Sequence, residues 1–95
     1  MQVLNTGTVV NITIMDLNGW TQGYFFLQDA VTNQIEVFIL WAVPDGTTEW
    51  APKWIERGLS VSLLRQALVS GTQVGVWHDD TSSVADTVEM GSYLV

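Results

Sequence analysis

The segments TVVNITIM (residues 8–15) and WTQGYFFLQD (residues 20–29) are separated by Asp16-Leu17-Asn18-Gly19. In the first, Val10, Ile12 and Ile14 fall on one side of an extended chain, and Val9, Asn11, Thr13 and Met15 on the other. A period of two built from β-branched residues reads as a half-buried strand. Asn-Gly supplies the two positive-φ positions that a tight hairpin turn requires. The chain therefore starts with an antiparallel hairpin. Gly23, inside the second strand, brings no side chain to pack and marks a bulge or a sharply coiled stretch, the bend that a small barrel needs.

After the polar turn AVTNQ (residues 30–34), IEVFILWAV (residues 35–43) is apolar at nearly every position. This predicts a third strand buried on both faces, or on one face by another subunit. Pro44 ends it, and PDGTTEWAP forms a loop in which Pro52 suits the first turn of a helix or a short helical lead-in. Gly58 argues against one long helix. Ser60 is placed to cap a shorter one through VSLLRQALVS, with Leu64 and Leu68 four apart, Val61 and Ala67 beside them, and Gly71 as terminator. The alternation in TQVGVWH turns Val74 and Val76 inward and Trp77 outward. DDTSS is a turn, and Val84–Gly91 a final strand with Val84, Val88 and Met90 on one face. Asp86 falls on that same face, which simple alternation does not explain.

Strand, strand, strand, helix, strand, strand is the order of a mostly β, small five-stranded OB-fold-like Greek-key barrel with one helix between strands 3 and 4. At 95 residues the chain has room for one core, so residues 1–95 are expected to form a single domain.

The segment LLRQALVSGTQVGVWHDD, an apolar helix with a Ser-Gly stop followed by an alternating strand, resembles the OB-fold B-subunits of AB-type bacterial toxins and related small bacterial OB-fold proteins. The resemblance covers roughly Val61 to Met90. It implies a homo-oligomer, often a ring, that binds host glycans, and it transfers no particular binding residue. The chain departs from those secreted subunits in having no cysteine and no visible leader.

Charged residues make up 14% of the sequence, against roughly 25% in ordinary soluble domains, so part of the surface is expected to be covered by another subunit or partner. The formal charge is −7, and the three basic residues, Lys53, Arg57 and Arg65, lie within one short segment. A phosphate backbone demands lysines and arginines, so neither nucleic acid nor an anionic membrane surface is an expected partner. No apolar run approaches the roughly 18 residues of a membrane span, and none resembles an intact signal peptide. The expectation is a soluble chain, cytoplasmic if complete and exported if it is a mature form that has lost a leader.

His78-Asp79-Asp80 has the residue types of a divalent metal site, but consecutive strand residues point alternately, so a hairpin turn with Asp79 or Asp80 bonded to backbone donors is expected, without metal. His78 with a serine and an aspartate lacks the Gly-x-Ser-x-Gly elbow of a hydrolase, and Asp16-Leu17-Asn18-Gly19 lacks the glycine spacing and closing glutamate of a calcium loop. No catalytic residue and no cofactor is assigned. Five tryptophans remain. Trp41 belongs to the core. Trp20, Trp50, Trp54 and Trp77 are candidate ligand-binding residues, since an indole presents apolar area to a sugar and keeps an N–H for a partner. The competing reading buries these rings between subunits, where aromatics are enriched. Lys53 and Arg57 are expected to pair with Glu49 and Glu56. Together these observations predict a non-enzymatic, self-associating binding or scaffold module, with carbohydrate recognition by an oligomer as the alternative.

Overall fold

The computed structural model describes residues 1–90. It is mostly β, with five antiparallel strands and one helix: β1 (Gln2–Leu17), β2 (Trp20–Asp29), β3 (Ile35–Pro44), α1 (Ala51–Ser70), β4 (Val74–Asp79) and β5 (Ala85–Glu89). The strands form one sheet in the order β3-β2-β1-β4-β5. The expected hairpin is present, with Asn18 and Gly19 at φ 55° and 78° between β1 and β2.

β1 is longer than the alternation indicates because it serves two partners. Gln2–Gly7 pairs with β4, and Gly7–Leu17 pairs with β2. Gly7 sits where the partners change, and a Cβ there would collide with the Gln28 carbonyl of β2. The sidedness expected for β1 also fails in one place. Val9 pairs with Leu27 and Asn11 with Phe26, leaving Val10 as the extra residue of a bulge. Parity flips across it. Val9 before the bulge and Ile12 after it both reach the core, while Val10 turns to solvent.

A second bulge leaves Leu40 of β3 unpaired between Ile39, opposite Tyr24, and Trp41, opposite Gly23. The irregularity foreseen at Gly23 is therefore real, with its extra residue on the neighbouring strand. A third bulge, in β5, accounts for Asp86. Thr87 pairs with Trp77 and Ala85 with His78, so Asp86 lies between pairs and accepts a hydrogen bond from Gln2 Nε2 at 2.6 Å.

The helix is a correction to the expected one. It begins at Ala51 and runs unbroken through Gly58 to Ser70, so Ser60 is interior and caps nothing. Mid-helix glycine costs about 1 kcal/mol against alanine. In the first two turns Trp54 and Arg57 meet Trp41 of β3, as described below. The stop is as expected: Gly71 is left-handed at φ 72°, and its N–H donates to the Ala67 carbonyl at 2.8 Å. The buried face of α1 carries Leu64 and Ala67, whereas Leu68 is partly exposed.

These helix residues complete a core of Val9, Phe25, Leu27, Phe38, Val74 and Val76. Inward Val74 and Val76 match the alternation read from β4. The sheet is open, and among the described residues no closed barrel is formed. Its two edges approach at a parallel bridge between Ile39 of β3 and Val84, the residue before β5, where the Ile39 N–H donates to the Ser83 carbonyl at 2.8 Å. Gly91, expected to end the last strand, lies outside the described residues.

Candidate functional site

The chemically richest region joins β3, the loop after it and the start of α1. The Trp41 side chain lies across Gly23 of β2, whose absent Cβ would fall 2.5 Å from the indole. Trp54, one turn into α1, meets Trp41 edge-on with centroids 5.9 Å apart. The Arg57 guanidinium lies 4.4 Å from the Trp54 ring centroid and 5.8 Å from that of Trp41, within cation–π range. Glu49 holds Arg57 in place through two hydrogen bonds, at 3.0 and 3.1 Å. Lys53 approaches the same carboxylate at 3.7 Å.

The paired hydrogen bonds from Arg57 keep the Glu49 carboxyl below its ordinary range, against the opposing effect of burial, with the charges of Arg57 and Lys53 adding to them. The expected pairing of Lys53 and Arg57 is thus present with Glu49, whereas Glu56 forms no ion pair among the described residues. Trp41 is buried as expected, and among the described residues its Nε1 is a buried donor with no protein partner.

The four candidate tryptophans do not converge. Trp54 belongs to this cluster and is partly exposed, and Trp50, directly before α1, is largely exposed. Trp20 sits at the hairpin end of β2, opposite Pro44. Trp77 is on β4, half-buried, and its Nε1 donates to Glu89 Oε1 at 2.9 Å across to β5. Of the four, Trp54 is the one in ring contact with Trp41 among the described residues. In the sequence Arg57 and Glu49 read only as surface charges. Their spacing of eight across a loop–helix junction gives no periodic signal that they would cradle an indole.

His78 is held by its surroundings. Its Nδ1 lies 2.8 Å from the Asp79 carbonyl and 2.9 Å from the Ser82 carbonyl, and its Nε2 lies 2.6 Å from Asn5 Oδ1. Carbonyl oxygens only accept, so Nδ1 is assigned as a donor. Asn5 turns its amide NH2 to Asp29 Oδ2 at 2.8 Å. Buried Asp29 also accepts the Val31 and Thr32 N–H groups at 2.7 and 3.0 Å. These bonds, Asn5 first, hold its carboxyl below the ordinary range despite burial. With both ring nitrogens engaged, His78 ties β1 to the β4–β5 turn.

Asp79 organises that turn as expected, its Oδ1 accepting the Thr81 N–H at 3.0 Å and hydroxyl at 2.8 Å. Among the described residues no group of three or more His, Cys, Asp or Glu side chains is placed to hold a metal ion.

Two clefts flank the Ile39–Val84 bridge. The larger, about 610 Å³, lies between α1 and β5 over Leu40, Leu63 and Val88, with Lys53, Ser60 and Asp86 at its sides. The smaller, about 460 Å³, is lined by Glu36, Phe38, His78 and the turn from Asp80 to Ser83. Both are openings in the seam that the unclosed sheet leaves. No protein-family model, curated protein or solved structure matches the chain.

Proposed function

We propose that this chain is an OB-fold-like, non-enzymatic module that works by self-association, burying apolar surface between copies in the manner of the toxin B-subunits that its Val61 to Met90 segment resembles. Support for the fold comes from the helix between β3 and β4, the sharing of β1 by β2 and β4, and the parallel bridge from β3 to Val84, the residue before β5. The observation that carries self-association is the outer face of α1. Ile55 and Val69 are 64% and 82% exposed there, away from buried Leu64 and Ala67, and Leu59, 66% exposed, stands at the rim of the cleft between α1 and β5.

Exposed apolar side chains on one helix face favour contacts between proteins, and each 100 Å² of apolar surface removed from water is worth about 2.5 kcal/mol before the costs of association. Light scattering on the full chain at micromolar concentration tests the proposal: a mass of several chains supports it, and a single-chain mass refutes it.

Carbohydrate recognition is the second reading, favoured by the exposure of Trp50 and Trp54 beside the Arg57–Glu49 pair. An exposed indole has the chemistry to stack on a sugar and to bond a hydroxyl through its N–H. Glycan-array binding that is lost in Trp54→Ala supports it. An array without binding, together with tryptophan emission unmoved by sugars, removes it.

A further inference from the structure

The outer face of α1 is more ordered than its composition suggests. Ile55, Leu59, Ser62, Gln66 and Val69 recur at alternating steps of four and three, and all five are exposed. That spacing lays them along one stripe of a helix. Arg65 stands three residues after Ser62 and four before Val69, so its guanidinium flanks the stripe. Glu56 flanks the other side nearer the N-terminal end. Unlike Lys53 and Arg57, which share Glu49, Arg65 has no ion-pair partner among the described residues.

The tip of the β1–β2 hairpin is the converse. Ile14, Leu17 and Trp20 are 57%, 52% and 44% exposed there. Asp45, just after β3, is tied to the tip by its N–H, which donates to the Gly19 carbonyl at 2.7 Å, and Asp16 of β1 pairs with Thr21, itself opposite Val43 of β3; the two carboxyls are neighbours, and neither has a cation within ion-pair distance among the described residues. Partial desolvation, and then the neighbouring Asp16, push the Asp45 carboxyl above its ordinary range. The pair is short of a cation, and the helix stripe has one to give.

We propose that a second copy of this chain docks its α1 stripe on the hairpin tip, with Arg65 of one copy set against Asp16 and Asp45 of the other. The inference rests on the self-association proposed above and specifies its geometry. The helix stripe, with Arg65 on one flank, and the acidic tip are different surfaces, so the contact is head-to-tail. Every copy offers both halves, and repetition gives a ring where the rotation closes and a filament where it does not. A two-fold contact between two helix stripes would instead set Arg65 near Arg65.

Charge reversal separates these arrangements. R65E and D16R, each confirmed folded by circular dichroism, are measured alone and as an equimolar mixture by light scattering of the full-length chain. Each variant alone is expected to weaken association at least about tenfold, and the mixture to recover the wild-type mass, because the carboxylate introduced on one helix then meets the guanidinium introduced on the other hairpin. Should R65E fail to fold, Arg65→Ala with Leu59→Ser serves in its place, again with loss of mass expected. Wild-type mass in both single variants overturns the head-to-tail contact and leaves self-association standing. Loss in R65E with D16R unaffected also overturns it. A wild-type chain that is monomeric refutes both.

Discussion

Gly23 lies directly under the indole of Trp41, with ring carbons 2.5 Å from where a Cβ would stand. The absence of one side chain on β2 thus fixes where the largest side chain of β3 can lie, and Trp41 in turn seats Trp54 and Arg57 of the helix. Gly23→Ala is expected to destabilise the chain by about 1–3 kcal/mol, the usual cost of overpacking. Combining it with Trp41→Leu should cost less than the sum of the two changes, because the removed ring no longer opposes the methyl. Urea unfolding of the four chains in the cycle checks this, and strict additivity would show that the two residues do not interact.

Gly58, taken as a breaker, implies a helix that starts at Ser60. In the structure Gly58 is helical and exposed, and a Cβ there meets nothing within 4 Å. Gly58→Ala should therefore stabilise the chain by about 0.5–1 kcal/mol, by lowering the backbone entropy of the unfolded state. Its thermal midpoint should rise, and a fall would mean that this position of α1 has a role beyond helix formation.

The departures in β1 and α1 share a cause. Turn chemistry is local, so the Asn18-Gly19 hairpin, the Gly71 stop and the inward valines of β4 are legible in the sequence. Bulges depend on which strand lies opposite: nothing around Val10 signals one, and the one at Leu40 is signalled only by Gly23 on the neighbouring strand. Asp86 is the exception, visible as a break in the alternation of β5 without a cause that the sequence alone supplies. Likewise Glu49, Trp54 and Arg57 come together only because the helix starts at Ala51, well before the glycine that suggests a later start. For the candidate site, Trp54 and Trp50 are readable as aromatic surface, whereas their separation from Trp20 and Trp77 follows from the strand order.

Acid should unfold the chain partly through Asp79. The Thr81 backbone N–H, then its hydroxyl and the chain's amino terminus, draw the Asp79 carboxyl from 3.8 down to about 2. A carboxyl depressed by folding stabilises the folded state when ionised. Its contribution is complete above pH 3.8 and is lost as pH falls toward 2. Urea midpoints measured across that window should fall less steeply for Asp79→Asn than for the wild-type chain. Parallel curves would contradict the assignment.

Asp45 should behave in the opposite sense. Partial desolvation, followed by the neighbouring Asp16, raises its carboxyl above 3.8, so the folded state favours the protonated form. The favourable contribution is present below that value and is lost as pH rises through the folded-state titration. Asp45→Asn is accordingly expected to raise the thermal midpoint at neutral pH while weakening association of the chain. Gaining stability and keeping full association would separate Asp45 from the contact proposed for it.

The mass of the full chain in solution tests the central claim most directly. Light scattering at micromolar concentration should give an integral multiple, at least two, of the 10.5 kDa chain mass. A value of 10.5 kDa, unchanged on raising the concentration, would show that the exposed stripe of α1 is not a self-association surface.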